Sequence, residues 1–109
     1  MLSNHGGRQL DGSRSPFDQL EKVVNAVGGK IEIIVDGGIR RGTHVLKALS
    51  LGATACSFGK GYLFALSAGG QKGVEMILQR MKDELRRDMI LLGKKKISDL
   101  SKDNIAFRD

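Results

Sequence analysis

The 109-residue sequence predicts an α/β chain made of parallel βα units. Three observations carry this. Residues 30–35 (KIEIIV) are rich in β-branched side chains, residues 53–58 (ATACSF) form a second short apolar run, and glycines lie close to both, as expected of buried strands. Each run leads into a glycine-rich loop and then into apolar residues at helical spacing. Strands separated by helices of about 10–15 residues pair in parallel, because the helix carries the chain back to the same end of the sheet. Two complete strands are too few for a sheet covered on both faces. The chain therefore reads as part of a βα repeat, with a small independent α/β domain as the alternative.

The elements follow in order. Ser3–Gly12 reads SNHGGRQLDG, a loop that sets a histidine and an arginine among glycines. Gly12-Ser13-Arg14-Ser15-Pro16 ends in a helix start. Ser15 is a good N-cap, Pro16 suits the first turn, and Asp18 complements the positive helix end. Phe17, Leu20, Val23, Val24 and Val27 then recur at helical spacing, and Gly28-Gly29 closes the helix. The strand at 30–35 follows, then the loop Asp36-Gly-Gly-Ile-Arg-Arg-Gly42. Residues 43–51 are expected to be helical, with Gly52 as cap. The strand at 53–58 leads through Gly59-Lys60-Gly61 to a helix over 62–68. That helix breaks at Gly69-Gly70 and resumes over 73–92, where Val74, Ile77, Leu78, Met81, Leu85 and Met89 form one apolar stripe with charges opposite. Residues 97–109 read as a short polar tail with one or two turns.

Composition narrows the function classes. Gly occurs 15 times, roughly twice average usage, which points to tight turns and close backbone approaches. The net charge is +6, which suits an anionic cofactor, nucleic acid or anionic lipid. The surplus is spread: residues 1–71 hold 8 basic and 5 acidic residues, and residues 72–109 hold 10 and 7. Lys94-Lys95-Lys96 reads as a solvated turn. The single Cys56 excludes an intrachain disulfide and reads as a buried, inert thiol. No metal site is expected, since His5, His44 and Cys56 have no ligand spacing. His44 reads as a solvated helix residue. No apolar run approaches the ~20 residues of a membrane span, and Met1-Leu2 is followed at once by polar residues. A cytoplasmic setting is the expectation.

Val35–Gly42 (VDGGIRRG) carries the first chemical signal. A strand ends, two glycines let the backbone approach a ligand, and a helix begins. Backbone N–H groups at such a junction form an anion nest, to which the helix dipole is expected to add. Arg40 or Arg41 can hold a phosphate through two N–H donors. Gly59-Lys60-Gly61 repeats the device one unit later. Two successive strand ends of this kind would converge on one phosphate, as after the last two strands of a (β/α)8 barrel. A pair of ordinary βα turns with solvated cations is the alternative.

DGGIRRG, then KALSLGA, then FGKGYLFALSAGGQKGVE resembles the C-terminal βα units of FMN-binding barrels. SNHGGRQLDG closely resembles the active-site signature of the FMN-dependent 2-hydroxy acid dehydrogenases and oxidases. The resemblance covers about residues 2–106. It implies that residues 1–109 are the C-terminal part of an FMN-binding (β/α)8 (TIM) barrel domain, from about the end of strand six to helix eight, incomplete in this chain. It further implies FMN as cofactor, His5 as catalytic base and Arg8 as the arginine that binds the substrate carboxylate. Asp36, Gly37, Gly38, Ile39 and Arg40 match the first FMN loop, and Gly59 and Lys60 the second. The implied reaction oxidises a small 2-hydroxy acid, with L-lactate the expected substrate, to a 2-oxo acid.

The chemistry of those residues agrees. Imidazole changes protonation near neutral pH and suits a base. A planar guanidinium grips a carboxylate through two bonds and so orients the substrate. His5 and Arg8 are three residues apart at a strand end, so both can face one pocket. Two departures stand out. The family usually has arginine at Lys60, and lysine keeps the charge but loses the two-pronged geometry. Only Leu2 represents the apolar run expected before SNHGG, and the upstream units with most flavin-ring contacts are expected to lie outside this chain. Three readings follow: an inactive C-terminal fragment; one part of an enzyme completed by a missing N-terminal barrel segment or by self-association; or a non-catalytic phosphate- or nucleic-acid-binding module. Basic and aromatic residues are not interleaved, so nucleic acid is not an expected partner. An oligomer and peripheral contact with the inner membrane are the remaining expectations.

Overall fold

Ser15 Oγ accepts the Asp18 N–H at 3.1 Å, which starts helix α1 (Pro16–Val27). Gly28 ends it in the left-handed conformation at φ 55°. This computed structural model describes residues 1–107. Strand β1 (Leu2–Ser3) runs into a single 3-10 turn at His5–Gly7 before α1. Strand β2 (Ile34–Asp36), helix α2 (Gly42–Ser50), strand β3 (Ala55–Ser57) and helix α3 (Lys60–Leu91) follow. Two 3-10 turns, Ile97–Asp99 and Lys102–Asn104, lie in the expected tail; residues 108 and 109 of that tail fall outside the described residues.

The three strands form one sheet in the order β1-β2-β3, with both pairings parallel. Leu2 lies opposite Val35 and Ser3 opposite Asp36; Ile34 lies opposite Ala55. All three strands therefore end at the same edge, and the three loops that follow them meet there. The helices cover one side. Leu20 of α1, Ile33 and Val35, and Ala48, Leu51 and Ala53 form the buried core, with Phe17, Val23, Val24 and Val27 packed against it.

The strands are shorter than the sequence suggests. Residues 30–32 are exposed and stand before β2, because β1 and β3 pair only with residues 34–36. Ile33 N–H donates instead to Thr54 Oγ1 at 3.0 Å. The expected break in α3 is present. Gly70 has φ 56° and ψ −143°, a conformation that effectively only glycine adopts. The chain turns back there, and Gly73 then lies against the Ala65 carbonyl oxygen, which a Cβ at Gly73 would meet at 2.1 Å. On the expected stripe of α3, Met81 is buried and Val74, Ile77, Leu85 and Met89 are half-buried, but Leu78 is exposed. No described helix is long and apolar enough to cross a membrane.

Candidate cofactor and active site

His5, Arg8, Asp36, Gly37, Gly38, Ile39, Arg40, Gly59 and Lys60 all line one open cleft of about 500 Å³. The cleft lies beyond the C-terminal ends of the parallel strands, where (β/α)8 barrels carry their sites. The sequence therefore identified residues that the fold brings together from three separate loops.

The first loop is tightly held. His5 has φ 54°, a left-handed backbone uncommon for a side chain of its size. Ser3 Oγ accepts the His5 N–H at 3.0 Å and donates to Asp36 Oδ2 at 2.7 Å. Asn4 Oδ1 accepts the Gly6 N–H at 3.1 Å. The Arg8 N–H donates to the His5 carbonyl, so a 3-10 turn sets the spacing of the two candidate site residues. The side chains of His5 and Arg8 are exposed to the cleft.

The second and third loops supply backbone and cations. Gly38, at φ 77°, and Gly59 both have open space where a Cβ would stand, so a ligand can approach the main chain at either. Gly37, at φ 117°, is crowded instead: a Cβ there would meet Asn4 Oδ1 at 3.1 Å and Pro16 Cγ at 3.3 Å. Lys60 Nζ donates to the Gly6 carbonyl at 3.3 Å, joining the third loop to the first. Cys56, half-buried in β3, has its thiol pushed up to about 11 by burial, in line with an inert role.

Two expectations need correction. His44, expected as a solvated helix residue, lies on α2 but is only partly solvated. It is half-buried, and its Nδ1 accepts the Arg40 N–H at 3.2 Å, which ties the end of the DGGIR loop to α2. The α2 dipole, moreover, does not serve the cleft. The first N–H of α2, from Gly42, donates at 2.9 Å to Glu84 Oε2, and Thr43 Oγ1 donates at 2.5 Å to Asp88 Oδ2. Two acids of α3 thus occupy the positive end of α2.

Glu84 and Asp88 do not stand out in the sequence, because charges on a long amphipathic helix ordinarily face solvent. The signal was present: 81, 84, 85 and 88 share one face of a helix, so the two acids lie on the apolar stripe. Glu84 is 6% exposed and also accepts from Arg41 Nη2 and Arg80 Nε, each at 3.3 Å. The Gly42 N–H, followed by the two arginines, holds its carboxyl below the usual range against the opposing effect of burial. Asp88 is lowered likewise, first by the Thr43 hydroxyl.

Residues 1–107 match the family model described as "FMN-dependent dehydrogenase". The chain belongs to the FMN-dependent dehydrogenase family. Its relatives include the L-lactate dehydrogenase (cytochrome) of Wickerhamomyces anomalus, 48% identical over 99% of this chain and 20% of the relative. The glycolate oxidase of Spinacia oleracea is 44% identical over 97% of this chain and 29% of its own length. Among solved structures, a flavocytochrome b2 variant with sulfite bound superposes with a TM-score of 0.88 at 45% identity, covering 94% of this chain and 27% of that one. A mandelate oxidase variant with (S)-mandelic acid superposes with a TM-score of 0.87, again at 45% identity, covering 91% and 30%. The chain thus spans between 20% and 30% of the length of these FMN-dependent dehydrogenase relatives. Its βα units are those of a (β/α)8 barrel, and it holds only part of that barrel.

FMN is the cofactor of this family. The cleft fits the phosphate end of that group. Exposed Arg40 and Lys60 supply positive charge, and the open backbone at Gly38 and Gly59 admits oxygens that a Cβ would keep away.

Proposed function

We propose that this chain supplies the FMN-phosphate loops, the base and the carboxylate-binding arginine of a 2-hydroxy acid oxidoreductase, with L-lactate as the favoured substrate. The observation that carries this is the convergence of His5, Arg8, the DGGIR loop and Gly59-Lys60 on one cleft. Asp36, Gly37, Gly38, Ile39 and Arg40 line one side of the flavin site, with Gly59 and Lys60 on the other. Bound FMN supplies the electron acceptor. Arg8 holds the substrate carboxylate through two N–H donors and so fixes the orientation of C2. The His5 imidazole accepts the proton that the 2-hydroxy acid loses on oxidation. The glycines at 6 and 7 keep the space between them free of side chains.

The chain carries these groups within a partial barrel, so turnover needs the remaining βα units. Co-expression with those units of a family relative is expected to yield a yellow complex that oxidises L-lactate, while the chain alone shows no turnover. In that complex His5→Asn is expected to cut kcat at least a hundredfold with flavin still bound. Robust turnover by the chain alone, or a complex that stays colourless, contradicts this reading.

A further inference from the structure

The Ser3 side chain hydrogen-bonds to both the candidate base and the flavin loop. Its hydroxyl sits between two strands held in register, since Ser3 lies opposite Asp36 across the β1–β2 pair. The hydroxyl gives its proton to Asp36 Oδ2 at 2.7 Å, and this leaves its lone pairs to face the His5 N–H at 3.0 Å. His5 is the one non-glycine residue with positive φ among the described residues. Such a backbone persists only where its surroundings enforce it. Asn4 supports the same turn through the next N–H, that of Gly6.

We infer that Ser3 and Asp36 are positioning residues: the chain Asp36–Ser3–His5 N–H holds His5 in its left-handed conformation and so aims the imidazole into the cleft. Asp36 then has a role besides lining the flavin site. It carries the position of β2 to the base in the turn that follows the neighbouring strand. The importance of that role for catalysis rests on the proposed reading of His5, but the hydrogen-bond chain itself does not.

The test uses the isotope-labelled chain assembled with the unlabelled remaining βα units of a family relative, without flavin or substrate, so it stands apart from the assay of function. Amide exchange and the HN–Hα coupling of His5 are measured by NMR, with the methyl signals of Leu20 and Val35 as a check on the core. Ser3→Ala is expected to speed His5 exchange about fivefold, the effect of losing one ordinary hydrogen bond, and to shift the coupling away from the left-handed value. Ser3→Thr keeps the hydroxyl and is expected to restore both. If Ser3→Ala leaves both readouts unchanged, or Ser3→Thr behaves like Ser3→Ala, the inference is overturned. If Ser3→Ala loses the core signals, Asp36→Asn decides instead. It keeps the Ser3 hydroxyl but weakens its orienting partner, so a rise of about twofold in His5 exchange supports the chain, and no change overturns it.

Discussion

Lys60 stands where the resemblance to the family leads one to expect arginine. Its ammonium reaches the Gly6 carbonyl and lines the same cleft as Arg40. A point charge on a flexible stem attracts phosphate without fixing its orientation, whereas a guanidinium meets two oxygens at once. Lys60→Arg is therefore expected to tighten flavin binding in the completed barrel by about threefold to tenfold. Titration of flavin fluorescence reads this directly, and unchanged or weaker binding would count against the assigned role. His44 makes a related point about single residues. It looked unremarkable in the sequence because nothing near it resembles a site. Only the fold shows that its ring nitrogen fixes the Arg40 backbone.

At the scale of elements, the packing of α3 on α2 is the least expected feature. Arg41, at the N-cap of α2, offers no side-chain cap, and Glu84 takes over that task from 42 residues away. Gly42 makes the approach possible: a Cβ there would meet Met81 O at 2.3 Å. Removing the acceptor by Glu84→Ala leaves a buried N–H unpaired and is expected to cost about 2–3 kcal/mol in denaturant unfolding. Glu84 and Asp88 both titrate lower folded than unfolded. Their contribution is thus complete above the ordinary carboxylate range and is lost as pH falls through that range and below it. Thermal midpoints are expected to hold steady above about pH 5 and decline below it, with a shallower decline in Glu84→Gln. An equal decline in that variant would show that the acid sensitivity lies elsewhere.

The same elements show what the sequence could reveal. Helix α1 was legible to its ends because its stop and start signals are local: Ser15, Pro16 and Gly28 each act within a few residues. The Gly69-Gly70 break was legible for the same reason. The strands were overextended because their length is set by partners, and β1 offers a pairing of only two residues. The candidate site was legible through its motif and through loops repeated at one strand end. The Ser3 chain and the Glu84 contact were not, since each joins residues more than thirty positions apart.

The whole molecule leaves much apolar surface uncovered. Phe64 is 71% exposed and Leu91 78%, and Leu63, Met76, Leu78 and Ile90 are exposed as well. Scattered exposure is ordinary, but this set lies on the two arms of α3, either side of the Gly69-Gly70 break, and marks surface suited to association. The isolated chain is expected to self-associate at micromolar concentration, and addition of the remaining βα units is expected to dissolve those assemblies into a defined complex. Light scattering with and without those units checks this; a monodisperse monomer that binds no hydrophobic dye would argue against it.

The acids that cap α2 have a consequence for ligand choice and for salt. With that helix end already neutralised, the DGGIR loop offers an anion the open backbone at Gly38 and the charge of Arg40. The start of α3, where Gly59 and Gly61 border the cleft, carries no side-chain cap. Attraction by exposed side-chain cations fades as dissolved ions screen it, while amides held at fixed positions keep their geometry. Raising the ionic strength should therefore weaken the pull of Arg40 and Lys60 on a phosphate while leaving the contacts offered by the Gly38 and Gly59 backbone in place, so that a salt titration separates the two kinds of hold.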